Sequence, residues 1–323
     1  MDGALSLLAN NLLVPTILFF ALGLVAAVMR SDLSIPDGAA KVMSIYLLFA
    51  IGFKGGVSIS DSGASAKLFA ALAAGAVLSF VMPFMAYAFL RAITKLSRLD
   101  AAAVAGHYGS ISIVTFVTAA NLLETSGISS EGYMVAVAAV MEVPAILSAL
   151  WLAARSRPGT RLDARLMRDI LANGSIVLLV GAFLIGAITG KPGLAQIDQF
   201  IVVPFTGVLC LFLLDMGLNA GRSLLAHRRE ISGGLVAFGC VMPVVGSLMG
   251  FAIAVLIGLS QGGTFLFMTL AASASYIAVP AAMRIALPEA KSGVYLSASL
   301  GITFPFNLTV GLPLYAWISN CVV

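Results

Sequence analysis

The sequence predicts an all-α integral membrane protein with ten transmembrane helices in two five-helix inverted repeats, with broken helices 4 and 9. Three observations predict it: the composition, the placement of the basic residues and an ordered internal repeat. Mean hydropathy is +1.06. Of 323 residues, 60% are hydrophobic and only 10% charged, against about 25% charged in a soluble domain. So sparsely charged a surface has to face lipid. One span takes roughly 20 apolar residues, so ten spans use roughly 200 and leave room only for short loops.

Apolar runs between charge and turn clusters lie near 12–29, 38–58, 66–90, 100–123, 130–154, 167–189, 198–223, 232–258, 262–286 and 292–319. Fifteen of the 18 Lys and Arg fall in the odd-numbered connections; the others are Lys54, Lys67 and Lys191. The positive-inside rule then puts the odd connections in the cytoplasm and both termini outside, across a bacterial inner membrane. This orienting role accounts for the net charge of +4, so the expected partner is the lipid bilayer and not nucleic acid. No basic stretch precedes the first apolar run, so no cleaved signal is expected. Cys210, Cys240 and Cys321 imply no disulfide framework. Residues 155–166 read as a basic cytoplasmic linker between a first repeat, 1–154, and a second, 167–323.

The halves match in order. Gly52-Phe-Lys-Gly-Gly-Val-Ser58 pairs with Gly217-Leu-Asn-Ala-Gly-Arg-Ser223, and Val81-Met-Pro83 with Val241-Met-Pro243. Ser110-Ile-Ser112 pairs with Ser273-Ala-Ser275, and Gly132, Tyr133 and Pro144 with Gly293, Tyr295 and Pro305. One match could be chance in so biased a composition; four collinear ones indicate duplication. Five spans is an odd number, so the second unit is inverted, as in many secondary transporters.

Spans 4 and 9 are interrupted. Gly106 and Gly109 weaken helix in span 4, and Ser110 and Ser112 can cap a new start. In span 9, Pro280 lacks an N–H and disfavours helix at Val279, so helix should pause around 274–279. Freed backbone at membrane depth must be buried in protein or line a wet cavity. Restarted helices aim N–H groups and a positive dipole end at that cavity. Two such ends make a small anion site, for which Gly109, Ser110, Ser112, Thr115, Ser273, Ser275 and Tyr276 are the candidates. Close packing of small residues is the plainer use of either segment alone; the paired placement favours a site.

Ionisable residues inside spans are functional candidates. Glu142, in Val140-Met-Glu-Val-Pro144, lies deep in span 5. A sodium ion coordinated by oxygens would keep it charged, with Thr118, Asn121, Thr303 and Asn307 as oxygen donors. The alternative is a hydrogen-bonded Glu142 that locks spans 4 and 5 together. Lys54, Asp215 and Asn219 lie on the paired Gly-rich segments and are gate or ion-pair candidates, with Lys54 and Asp215 expected to pair. No metalloenzyme spacing, phosphate loop or paired catalytic residues occur, so neither an enzyme nor ATP-driven transport is expected.

These segments resemble the cyanobacterial-type sodium-dependent bicarbonate transporter family. The landmarks are Ile51-Gly-Phe-Lys-Gly-Gly-Val-Ser-Ile59, the Gly-Ser-Ile-Ser region, Met141-Glu-Val-Pro144, Ala271-Ala-Ser-Ala-Ser275 and Met283-Arg-Ile-Ala-Leu-Pro288. The resemblance implies a core module of spans 3–5 and 8–10 and a gate module of spans 1, 2, 6 and 7. It also implies sodium as coupling ion, bicarbonate at the crossing of spans 4 and 9, and a homotrimer. Members bind a regulatory trimer of the PII-like signalling class on the cytoplasmic face, against which the short linker speaks here. Tyr276 stands where the family pattern has an acid, Glu142 where it has Asp, and Ala278-Val279 where it has Ser-Gly. The expectation is a symporter importing bicarbonate. A sodium- or proton-coupled carrier of another small anion, such as a short carboxylate, is the alternative, and a passive anion channel the alternative of another class.

Overall fold

Five helices begin where the sequence supplies a serine. In the computed structural model, which describes residues 14–62, 65–156, 174–228, 230–276, 279–280, 283, 287 and 289–322, the hydroxyls of Ser65, Ser97, Ser112, Ser232 and Ser260 each accept a backbone N–H three residues on. These caps satisfy donors that a helix start leaves open. The helices are α1 (Pro15–Val28), α2 (Asp37–Ser62), α3 (Ala66–Ile93), α4 (Arg98–Ala105), α5 (Ile113–Thr125), α6 (Met134–Ser156), α7 (Gly174–Ile201), α8 (Phe205–Ala226), α9 (Gly233–Ile257) and α10 (Gln261–Ala271). A last helix opens as α11 (Ser292–Leu296), widens into π turns at Ser297–Thr303 and Asn307–Gly311 around α12 (Phe304–Phe306), and closes as α13 (Leu312–Ser319). Pro305 and Pro313 lie in this stretch, and proline's missing N–H breaks the regular ladder that π turns replace. No strand forms among the described residues.

Among the described residues six helices, α2, α3 and α6–α9, are long and apolar enough to cross a membrane. Their apolar side chains also cover the outside: Ile188 is 83% and Leu256 85% exposed. Such a surface suits lipid, since soluble monomers rarely expose large apolar patches. The chain is a multi-pass membrane protein.

The break that the sequence reading puts at 190–197 opens at Gly190 (φ 58, ψ −154), a conformation open chiefly to glycine. The next span differs: helix resumes directly after the kink and runs to Ile201, and α8 starts at Phe205 and not at 198. Nearly all of the expected linker, and the start of the expected sixth span up to 173, lie outside the described residues.

Packing divides the helices into two groups. α2 lies along α7, α1 along α8, and α8 also touches α2. Glycine permits these contacts. A Cβ on Gly56 would stand 1.9 Å from the Phe183 carbonyl oxygen, and one on Gly186 2.2 Å from that of Phe53. Gly23 and Gly217 do the same between α1 and α8, each 2.1 Å from a facing carbonyl oxygen. The Gly-rich segments of the repeat are therefore surfaces where backbones meet, as small residues allow in membranes. In the second group α3 packs on α6, α9 on α10, and α9 also on α3.

Candidate functional site

The interruption between α4 and α5 turns at Gly109, whose φ is +102. A Cβ there would stand 2.7 Å from the Ser79 carbonyl oxygen, so both conformation and space demand glycine. The chain then runs to Ser112, which caps α5: its hydroxyl accepts from the Thr115 N–H at 3.2 Å and from the Thr115 hydroxyl at 2.8 Å. After α10 the second interruption is non-helical over 273–276, and residues 279 and 280 are helical again.

The two interruptions cross. Tyr108 and Ala274 form an isolated antiparallel bridge, and the Ser275 N–H donates to the His107 carbonyl at 2.8 Å. Backbone groups that would be orphaned in the apolar interior thus satisfy each other.

Beside the crossing lies a cavity of about 10 Å³, lined by Ser112, Ser275, Tyr276 and Glu142 together with Ser44, Leu48, Ile111 and Ile113. That is room for about one water. Its lining holds one acid and no base. Glu142 is 3% exposed, and its Oε2 has no hydrogen-bond partner. The Tyr276 hydroxyl approaches Ser112 without completing a hydrogen bond.

Glu142 is held by a repaired helix. Pro144 removes one donor from the α6 ladder. The Ser79 hydroxyl from α3 bridges the next rung of the ladder, donating to the Met141 carbonyl and accepting from the Ala145 N–H at 3.1 Å.

The structure brings some expected anion residues together and leaves others aside. Ser112, Ser275 and Tyr276 line the cavity. Thr115 holds the Ser112 hydroxyl, and Gly109 shapes the turn. Ser273 donates back to the Thr269 carbonyl at 2.6 Å, and the buried Ser110 hydroxyl has no partner. Sequence reading missed Ser44 of α2; a single serine in an apolar run carries little signal.

The expected sodium donors are dispersed. Glu142 stands at the cavity, while Thr118 bonds the Val114 carbonyl within its own helix. Asn121 accepts from Thr206 of α8 at 2.9 Å. Thr303 contacts the Tyr108 hydroxyl at 2.6 Å and donates to the Gly239 carbonyl at 2.8 Å. Asn307 donates to the Ala272 carbonyl at 2.9 Å and accepts from Tyr315 at 2.8 Å. Asn121, Thr303 and Asn307 tie helices together.

Lys54 does not pair with Asp215. Its ammonium lies 2.7 and 2.9 Å from the two oxygens of Glu124 and 5.2 Å from the centre of the Phe205 ring. Asp215 instead accepts from Asn219 at 3.1 Å, one turn along α8. The end of α5 brings a closer carboxylate to Lys54 across 70 residues of sequence. The pair lines a cavity of about 250 Å³ between α2, α5, α6, α8 and α10.

A family model described as the Na+-dependent bicarbonate transporter superfamily matches residues 15–320. No curated protein gives a match.

Proposed function

The chain belongs to the Na+-dependent bicarbonate transporter superfamily, and on that premise we propose that it is a symporter that imports bicarbonate with sodium by alternating access. The single observation carrying this reading is the cavity at the crossing. A helix start capped by Ser112, the Ser275 turn and a buried carboxylate with an unpartnered oxygen share it.

The chemistry couples the two ions. A bare Glu142 carboxylate would repel an anion at such close range. A sodium ion held by Glu142, with nearby serine hydroxyls as oxygen donors, removes that repulsion. The α5 N-terminus and the hydroxyls then favour a small anion. A helix end contributes about 0.3–1 kcal/mol, up to ~2 when partly buried, and each hydroxyl bond about 1 kcal/mol. The affinity is modest, which suits a carrier that must release its cargo. The cavity as it stands holds about one water, so it has to widen to admit bicarbonate.

The proposed architecture has ten spans in two inverted repeats, residues 1–154 and 167–323. Spans 4 and 9 are the pairs of segments that meet at the crossing. Support comes from the order of the sequence matches and from the two packing groups. α1, α2, α7 and α8 would form the gate, and the remaining helices the core. The basic connections would face the cytoplasm and both termini the outside of a bacterial inner membrane. A homotrimer follows from the family resemblance.

Uptake of labelled bicarbonate into vesicles, with and without a sodium gradient, tests this reading. The wild type should need sodium, and Glu142→Gln should lose most of that dependence while staying folded in detergent. Unchanged sodium activation in the variant would remove Glu142 from the site. Sodium-independent uptake by the wild type would sink the symport reading.

A further inference from the structure

We propose that Lys54 and Glu124 form a latch that controls opening of the 250 Å³ cavity between the two helix groups. The proposal takes the two groups to move against each other, as in the transport reading above. Lys54 belongs to α2, which packs chiefly on α7, and Glu124 to α5, which packs on α10. α2 and α5 themselves touch only slightly. The ion pair therefore bridges the two groups on the α5 side of the cavity, while on its other side Gly55 and Ser58 of α2 pack closely on Val135 and Gly132.

A second link lies one turn away on α5. The Asn121 side chain accepts from Thr206 of α8 at 2.9 Å. Asn121 and Glu124 thus fasten the last turn of α5 to both α8 and α2. Asn121, Glu124, Lys54 and Phe205 all line the same cavity, so parting the two links widens it.

The pair is suited to repeated opening. The Lys54 side chain is 25% and that of Glu124 53% exposed. A pair so open to solvent is weak and is screened by salt. The Phe205 ring beneath the ammonium adds a modest attraction that stays with Lys54 when Glu124 departs, since α8 packs with α2.

The test reads accessibility and needs neither transport nor substrate. Ala120→Cys places a thiol in the cavity wall, in a chain whose Cys210, Cys240 and Cys321 are replaced by alanine. Purified protein in detergent is labelled with a charged thiosulfonate reagent, which reaches both faces. Lys54→Met and Glu124→Gln should each speed labelling about twofold to fivefold, the range of an exposed pair. The double variant should label no faster than either single one. Salt at 1 M should speed labelling of the parent but not of Lys54→Met. Both single variants labelling at the parent rate would overturn the latch. So would additive effects in the double variant, or equal salt acceleration of parent and Lys54→Met. Any of these three failures leaves sodium-dependent uptake standing as a separate question.

Discussion

The two interruptions that cross at Tyr108 and Ala274 share a Ser-x-Ser spacing and end their helices by different means. Before α5 the chain turns through positive φ at Gly109 and then restarts on the Ser112 cap. After α10 no described residue has positive φ, and the non-helical run covers 273–276. In each triplet the second serine, Ser112 or Ser275, reaches the cavity. The first does not: Ser273 bonds back into its helix, and Ser110 is buried without a partner. Equal spacing thus conceals a division between one serine that faces the cavity and one that does not.

The sharpest break of this comparison is to fill the cavity from the α5 side. Ser112→Leu removes the cap and places a branched side chain in about 10 Å³ of space. Uptake of labelled bicarbonate should fall to background, with the protein still monodisperse in detergent. Normal transport would move the site elsewhere.

The next effect concerns the turn. Gly109→Ala forces a Cβ into the left-handed region and against the Ser79 carbonyl. It should cost roughly 1–3 kcal/mol, read as a lower thermal unfolding midpoint in detergent. Ala274→Gly, across the bridge and free of positive φ, should cost about 0.5–1 kcal/mol. Equal losses would mean that the two turns are equivalent after all.

The smallest effect separates the serines within one triplet. Ser275→Ala should raise the half-saturation concentration for bicarbonate severalfold, about the worth of one hydrogen bond. Ser273→Ala should leave it within about twofold, because its hydroxyl serves the Thr269 carbonyl. A reversed order would exchange their roles.

The interruptions were legible because glycine, serine and proline act through the backbone, and their effect is local. Gly109 announces a break whatever surrounds it, whereas Val279, which the sequence reading keeps out of helix because Pro280 follows it, is helical. The cavity was only partly legible, since facing direction depends on neighbours. Ser110 and Ser112 look alike in sequence, yet only Ser112 meets Glu142. The sodium donors illustrate the same point. Thr303 and Asn307 carry suitable oxygens, but Tyr108, Gly239, Ala272 and Tyr315 engage them. Lys54 found Glu124 and not Asp215 because tertiary packing chose the partner.

Proline in a membrane helix usually provides a hinge, and Pro144 lies two residues from Glu142. Here the Ser79 hydroxyl acts as a splint across the rung beside the proline, bonded to the Met141 carbonyl and the Ala145 N–H. Bending at Pro144 would strip both bonds in an apolar interior, where no solvent replaces them. The acid therefore rides on a stiff two-helix beam made of α3 and α6. Exposure of Glu142 to either side of the membrane would then come from sliding of that whole beam past its neighbours, with the carboxylate keeping its place on α6 throughout.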